Sequence, residues 1–150
     1  MARLLAIDPG RSKCGLVLCD RERHQVIASG VYPVETVLGQ IRHWSSSSPI
    51  DQILLGNGTG SSLWRERLQE QLQLEPELMD ERGTTLRARE RYWQLWPPQG
   101  WRRLLPRGLD LPPVELDAIA ALVMLEDHLG RPLEWACPPP IQNRARTVKV

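Results

Sequence analysis

Three apolar runs, Arg3–Ile7, Cys14–Cys19 and Gln25–Tyr32, follow one another with only short turn-like linkers between them. The first linker holds Pro9-Gly10, and the second is the charged stretch Asp20-Arg21-Glu22-Arg23. Parallel strands need a crossover of about a dozen residues or more, which these linkers cannot supply, so the three runs are expected to pair as an antiparallel meander. Half of a sheet is therefore constrained by spacing alone.

The remainder of the chain changes rhythm. Val34, Val37, Leu38, Ile41 and Trp44 recur at helical spacing, and Ser45–Ser48 with Pro49 are expected to end that helix. Asp51–Leu55 reads as a fourth strand, closed by Gly56-Asn57-Gly58-Thr59-Gly60-Ser61-Ser62, which leads into a helix over Leu63–Leu72. Leu78-Met79 is a short fifth strand, and Thr84 or Thr85 is placed to cap a helix running toward Trp96. Pro97–Leu111 is rich in Pro, Gly, Trp and Arg and reads as a loop, after which Pro112-Pro113 open a strong helix over Val114–Leu129. The order βββαβαβαα predicts an α/β fold: a mixed five-stranded sheet, three-strand meander plus two parallel strands, with helices on both faces. Residues 1–130 are expected to form one domain. The Pro-rich basic tail, residues 131–150 with Pro138-Pro139-Pro140, is expected to be extended or partly disordered.

No apolar run reaches the roughly 18 residues that span a bilayer. Leu4–Ile7 is too short for a secretory h-region, so no membrane association and a cytoplasmic location are expected. Cys14, Cys19 and Cys137 have no metal-site spacing and read as structural thiols. His24, His43 and His128 do not cluster and are assigned structural roles. The net charge of +1 does not announce a polyanion binder, but the kind and placement of the bases do. Of 19 basic residues only Lys13 and Lys149 are lysine, and arginine's planar fork suits phosphate. Arg82, Arg87, Arg89, Arg91, Arg102, Arg103 and Arg107 fall in one stretch, interleaved with Trp93, Trp96 and Trp101, the composition of a nucleic-acid-stacking surface.

The acids carry the chemistry. In a mixed α/β sheet, ligands gather at the carboxyl ends of the parallel strands. Asp8 lies at one such end and Asp80-Glu81 at another. Asp117 opens the last helix inside Leu116-Asp117-Ala118-Ile119-Ala120-Ala121, at the rim of the apolar face that must pack on the sheet. Glu115 competes with it but is expected to face solvent. Mg²⁺ and Mn²⁺ prefer carboxylate oxygen, and two-metal phosphodiester hydrolysis needs about three converging carboxylates. Asp8, Glu81 (or Asp80) and Asp117 are the candidates.

Taken in order, Asp8-Pro9-Gly10 with Gly15, Asp80-Glu81-Arg82-Gly83-Thr84-Thr85, and Asp117-Ala118-Ile119-Ala120-Ala121 resemble the motifs of the YqgF-type family of the RNase H-like superfamily, also called Holliday-junction-resolvase-like. The likeness runs from residue 3 to about residue 130. It implies an RNase H-like fold and a metal-dependent nuclease that uses Mg²⁺ or Mn²⁺ in a two-metal-ion mechanism. It also implies a substrate of precursor small-subunit ribosomal RNA at its 5′ end, or of branched DNA, and a monomer or homodimer. By residue it carries over Asp8, Glu81 and Asp117 as catalytic and metal-binding acids. Lys13, Arg82, Thr84, Arg102 and Arg103 are then the expected nucleic-acid contacts, with Thr84 donating to a phosphate oxygen.

Two departures set up the alternatives. The fourth strand ends in Gly56-Asn57, without the acid that junction resolvases and RNases H place there, and Tyr92–Arg107 reads as an insertion. A catalytically inactive nucleic-acid-binding module is therefore the competing expectation. A sugar-kinase-like or ATPase domain shares the strand-Asp-Gly turn, but such proteins close two domains around a cleft and this chain holds one.

Overall fold

The computed structural model describes residues 2–58, 60–97, 104 and 116–135. Within them five strands form one sheet: β1 Arg3–Pro9, β2 Lys13–Asp20, β3 Gln25–Pro33, β4 Gln52–Gly56 and β5 Glu77–Met79. The order is β3-β2-β1-β4-β5. β1 pairs antiparallel with β2, β2 antiparallel with β3, and β1–β4 and β4–β5 are parallel. This is the expected RNase H-like arrangement, with β1 at the centre. Every residue of β1 except Asp8 is buried, as befits a strand covered on both faces.

The helices among the described residues are α1 Val37–Ser47, α2 Ser61–Leu72, α3 Thr84–Leu95 and α4 Asp117–Leu129. Period-2 alternation sorts the strand side chains. Leu5, Ile7, Leu16, Leu18, Ile53 and Leu55 pack with Val37 and Ile41 of α1 and Trp64 and Leu68 of α2. Leu4, Ala6, Val17, Cys19 and Leu54 face α4. α3 lies outside α4, with Ala88 and Tyr92 against Ile119 and Ala120. α4 is thus enclosed between the sheet and α3, which is why Ala118–Leu125 is buried without a break. Among the described residues no helix is long and apolar enough to cross a membrane.

Local departures from expectation have local causes. Val34–Thr36 forms a single 3-10 turn before α1. α1 continues through its serines to Ser47, and the hydroxyls of Ser45 and Ser46 donate to the carbonyls of Arg42 and His43, one turn back. Neither Thr84 nor Thr85 caps α3. The cap is Gly83 at φ 75°, a left-handed conformation that glycine adopts readily, and Thr84 is the first helical residue. The segment after Gly130 docks rather than hangs free over its first residues. Leu133 is buried against the α4 cluster, and Glu134 bridges Gln25 at the start of β3. The tail from 136 onward, Cys137 and the prolines included, lies outside the described residues.

The arginine cluster divides. Arg91 grips Glu126 of α4 through Nε–Oε1 at 2.9 Å and Nη2–Oε2 at 2.8 Å, and Glu126 also accepts from the Leu133 amide. Arg87 pairs with Asp127 one residue on. These two ties clamp α3 and the docked segment to α4. The Arg91 and Glu126 side chains are only 17% and 13% exposed, so Arg91→Met would strand a largely desolvated carboxylate. The expected cost is about 2 kcal/mol, a fall of roughly 5 °C in thermal unfolding followed by circular dichroism.

Candidate functional site

Asp8 projects from the central strand on the α4 face, in the same alternation as Leu4 and Ala6. Its neighbours in the sheet are both glycines. Gly15 of β2 is its direct antiparallel partner. Gly56, the last residue of β4, stands one step beyond the Ile7–Leu55 pair on the other side. Each glycine opens a window beside Asp8, and a different acid arrives through each.

Through the first window comes the start of α4. A β-carbon at Gly15 would run into the carbonyl of Asp117 and lie 2.5 Å from the Ala118 nitrogen. The helix terminus thus rests directly on bare strand backbone, which places Asp117 in the electrostatic field of Asp8. Through the second window comes Glu81. A β-carbon at Gly56 would collide with its Oε1, and one at Gly58 with its Oε2, so the carboxylate lies across the Gly56-Asn57-Gly58 backbone. Its own backbone is held by three bonds. The Glu81 amide donates to Asn57 Oδ1 at 3.3 Å, and the Glu81 carbonyl accepts from the Thr84 amide at 3.1 Å and the Thr84 hydroxyl at 2.7 Å. Asn57 is fixed in turn by its amide donating to the Met79 carbonyl at 2.9 Å.

Confinement beside Glu81 disfavours the charged form of Asp8. Asp8 is pushed up to about 9, by burial first, then by the hydrogen bond it shares with Glu81, then by the charges of Glu81 and Asp117. That hydrogen bond exists only while one carboxyl holds a proton; ionised, both groups only accept. Glu81 Oε1 is buried and, among the described residues, has no donor. An orphaned buried carboxylate oxygen facing a second carboxylate, with a third acid alongside, is an all-oxygen set suited to a hard divalent cation such as Mg²⁺ or Mn²⁺. Among the described residues, no group of three or more acidic, histidine or cysteine side chains is already closed to ligating distance. The Asp8–Glu81 pair is the assembled part.

The structure resolves the choice between Asp80 and Glu81. Asp80 turns outward and pairs with Arg82, Oδ2 to Nη2 at 3.0 Å, which lowers its carboxyl below the ordinary range. Arg82, with 92% of its side chain exposed, is engaged there rather than beside Asp8. Thr84 is buried with its hydroxyl committed to Glu81, so it positions that acid and does not offer the expected donor to a phosphate. Lys13 opens β2 on the same face as Gly15. Arg102 and Arg103 lie outside the described residues, as does Glu115. Cys14, on the opposite face, is a buried free thiol raised to about 11 mainly by desolvation. Sequence reasoning missed Asn57 and the two glycines flanking it. The available signal was a Gly-x-Gly at the tip of a parallel strand, read there only as a turn.

Gly56→Ala would test the second window. The atom displaced is the end of a flexible side chain, so stability is expected to change by under about 1 kcal/mol. Glu81 must swing away from Asp8, so the hydrogen bond and charge that help to hold the Asp8 carboxyl up are weakened and it falls back toward its ordinary range. Thermal melts alongside a pH titration of Gly56→Ala would separate the two effects.

No family profile matches the chain, and no curated protein matches it. Solved structures resemble it distantly. A type II variant crystal structure of the Aquifex aeolicus Ppx/GppA phosphatase matches with a TM-score of 0.38 and 11% identity, over 53% of this chain and 36% of the other. Another structure of the Aquifex aeolicus Ppx/GppA family member matches with a TM-score of 0.37 and 11% identity, over 66% and 42%. The chain spans less than half the length of either.

Proposed function

We propose that the chain is a divalent-cation-dependent endonuclease of the YqgF type, hydrolysing phosphodiester bonds in structured nucleic acid. The observation that carries this reading is the Asp8–Glu81 carboxylate pair, with Asp117 beside it, admitted to one face of the central strand by Gly15 and Gly56. Such a pair is unfavourable for its own sake and is relieved by a cation. Asp8 and Glu81 would hold Mg²⁺ or Mn²⁺, with Asp117 completing the set. A cation bound there supplies activation of water and stabilisation of the leaving oxygen at phosphorus.

The chain's own residues do the rest. Asp8, on the most constrained strand of the sheet, holds the reacting end in place. Thr84 and Asn57 fix the Glu81 backbone, so its side chain starts from a set position beside the Gly56 window. Asn57 occupies the strand end where a fourth acid was missed from the sequence, and it contributes an anchor for Glu81 instead of a ligand. Motif order and spacing support precursor small-subunit ribosomal RNA or branched DNA as the substrate class.

The test is incubation of the full chain with a precursor ribosomal RNA 5′ fragment and with four-way DNA junctions, in Mn²⁺, Mg²⁺ or chelator. Metal-dependent cleavage of either substrate is the expected result. Binding without turnover in any divalent cation would select the inactive module in its place.

A further inference from the structure

We infer that the tight turn between β1 and β2 and the flank of α2 behind it form a phosphate-binding lip beside the acid pair, with Arg11 and Arg67 as its contacts for the backbone of a nucleic acid. The inference rests on the nuclease reading for the identity of the polyanion, though not for the lip itself. The fold sorts the arginines by what they already hold. Arg82, Arg87 and Arg91 are paired with Asp80, Asp127 and Glu126, and Arg65 with Glu75. Arg3 and Arg89 each keep a guanidinium Nε enclosed in protein. Arg67 belongs to neither group. Among the described residues it forms no hydrogen bond or ion pair, and none of its nitrogens is enclosed. Its Cζ lies 5.2 Å from the ring centroid of Trp64, one turn back and 3% exposed, so a buried ring fixes where the guanidinium stands. A planar cation held on one face by a ring still presents the N–H groups of its edge, which phosphate oxygens take up in pairs.

Position ties both arginines to the acids. β1 and β2 pair as far as Pro9 and Cys14, so the chain turns within Gly10-Arg11-Ser12-Lys13. A β-carbon at Gly10 would lie 2.5 Å from the Lys13 carbonyl oxygen, and the Ser12 carbonyl accepts from the Val34 amide at 3.0 Å. The turn is therefore closed tightly and pinned to the segment that leads into α1. Arg11 is exposed in it, three residues from Asp8 and so within about 11 Å of it along the chain. Among the described residues no carboxylate pairs with Arg11. Arg67 approaches the same place from α2. The charges of Asp8, Asp117 and Arg67 all act on one group, the Cys14 thiol at the foot of the turn. A nucleic-acid strand leaving the acids on this side carries a phosphate about every 3.4 Å of duplex axis, and the lip supplies the positive charge that such a strand needs beside three acids.

The experiment measures binding of a fluorescein-labelled four-way DNA junction and of a labelled RNA hairpin by anisotropy, in chelator, across a salt series. Arg11→Gln and Arg67→Gln are each expected to weaken binding about 5–10-fold and to reduce the salt slope by about 1. Arg21→Gln, the same charge change on the β2–β3 turn at the opposite end of the sheet, is expected to alter affinity by less than about twofold. Arg67→Lys is expected to keep the wild-type slope, and this variant decides the role of Arg67 if Arg67→Gln melts early. Unchanged affinity and slope in either Arg11→Gln or Arg67→Gln would overturn the lip. So would a loss that Arg67→Lys fails to restore, or an equal loss in Arg21→Gln, the mark of diffuse charge attraction. A wild type that binds through both arginines but never cleaves would defeat the nuclease reading while leaving the lip standing. A wild type that cleaves while both variants bind unchanged would do the reverse, and binding of neither probe would defeat both.

Discussion

Asp8→Asn is expected to slow the cleavage proposed above about 10³-fold while making the metal-free protein more stable at alkaline pH. The loss of activity follows from removing the central carboxylate of the pair. A cation held by one acid fewer forfeits on the order of 4 kcal/mol of transition-state stabilisation, about 10³-fold in rate. The gain in stability follows from the raised Asp8 carboxyl, which stands at about 9 in the fold against 3.8 when free. Between those values the folded chain binds a proton that the unfolded chain has released. The contribution of Asp8 to stability is therefore complete below about pH 4 and drains away as pH rises toward 9. Asparagine carries no charge and can donate its amide hydrogens to Glu81, so the variant escapes that decline. At pH 8 in chelator a gain on the order of 2 kcal/mol is expected, roughly 5 °C in midpoint, because solvent at this half-open site relieves part of the strain. The difference should shrink toward pH 5. Mn²⁺ should raise the midpoint of the wild type at pH 8 and leave Asp8→Asn nearly unmoved. Parallel pH profiles for the two proteins would remove the carboxylate pair from the account.

The same site shows which parts of the molecule were legible in the sequence. The meander was, because three apolar runs with linkers of a few residues leave no other pairing. The burial of α4 was partly so. Its apolar face was evident, but burial on every side depends on α3 docking over it, and Ala88 and Tyr92 announce that only once their partners Ile119 and Ala120 are known. The acids could be picked out as types at strand and helix ends, but their own pattern left Asp80 beside Glu81, and only the motif resemblance chose Glu81. In the fold that choice is made by Arg82, which draws Asp80 outward, and by Asn57 and Thr84, which turn Glu81 inward. The arginines were legible as a cluster and illegible as individuals. Arg87 and Arg91 look no different from Arg89 until Glu126 and Asp127, some forty residues away, are seen to claim two of the three. Charge composition reports supply, and only packing reports what is already spent.

Gly15→Ala is expected to be far more disruptive than Gly56→Ala. At Gly56 the obstructed atom ends a flexible side chain, but at Gly15 it is backbone, the carbonyl of Asp117 with the Ala118 nitrogen directly behind. α4 cannot yield by a rotamer change. It must lift its first turn off β2 or tilt as a body, and as a body it is packed on the sheet on one side and on α3 on the other. Forcing an added methyl into a well-packed core costs about 1–3 kcal/mol, and here the upper part of that range or beyond is expected. A fall of some 5–10 °C in the thermal midpoint corresponds to it. Whichever way the helix yields, Asp117 retreats from Asp8, so the chains that remain folded should also lose the metal response. Two readouts identify the cause. The Mn²⁺-induced rise in midpoint should disappear in Gly15→Ala, and it should persist in Arg91→Met, which loosens α4 from its outer side while leaving Gly15 bare. If Gly15→Ala melts like the wild type and still responds to Mn²⁺, α4 does not rest on this strand and the first window is not what brings Asp117 to Asp8.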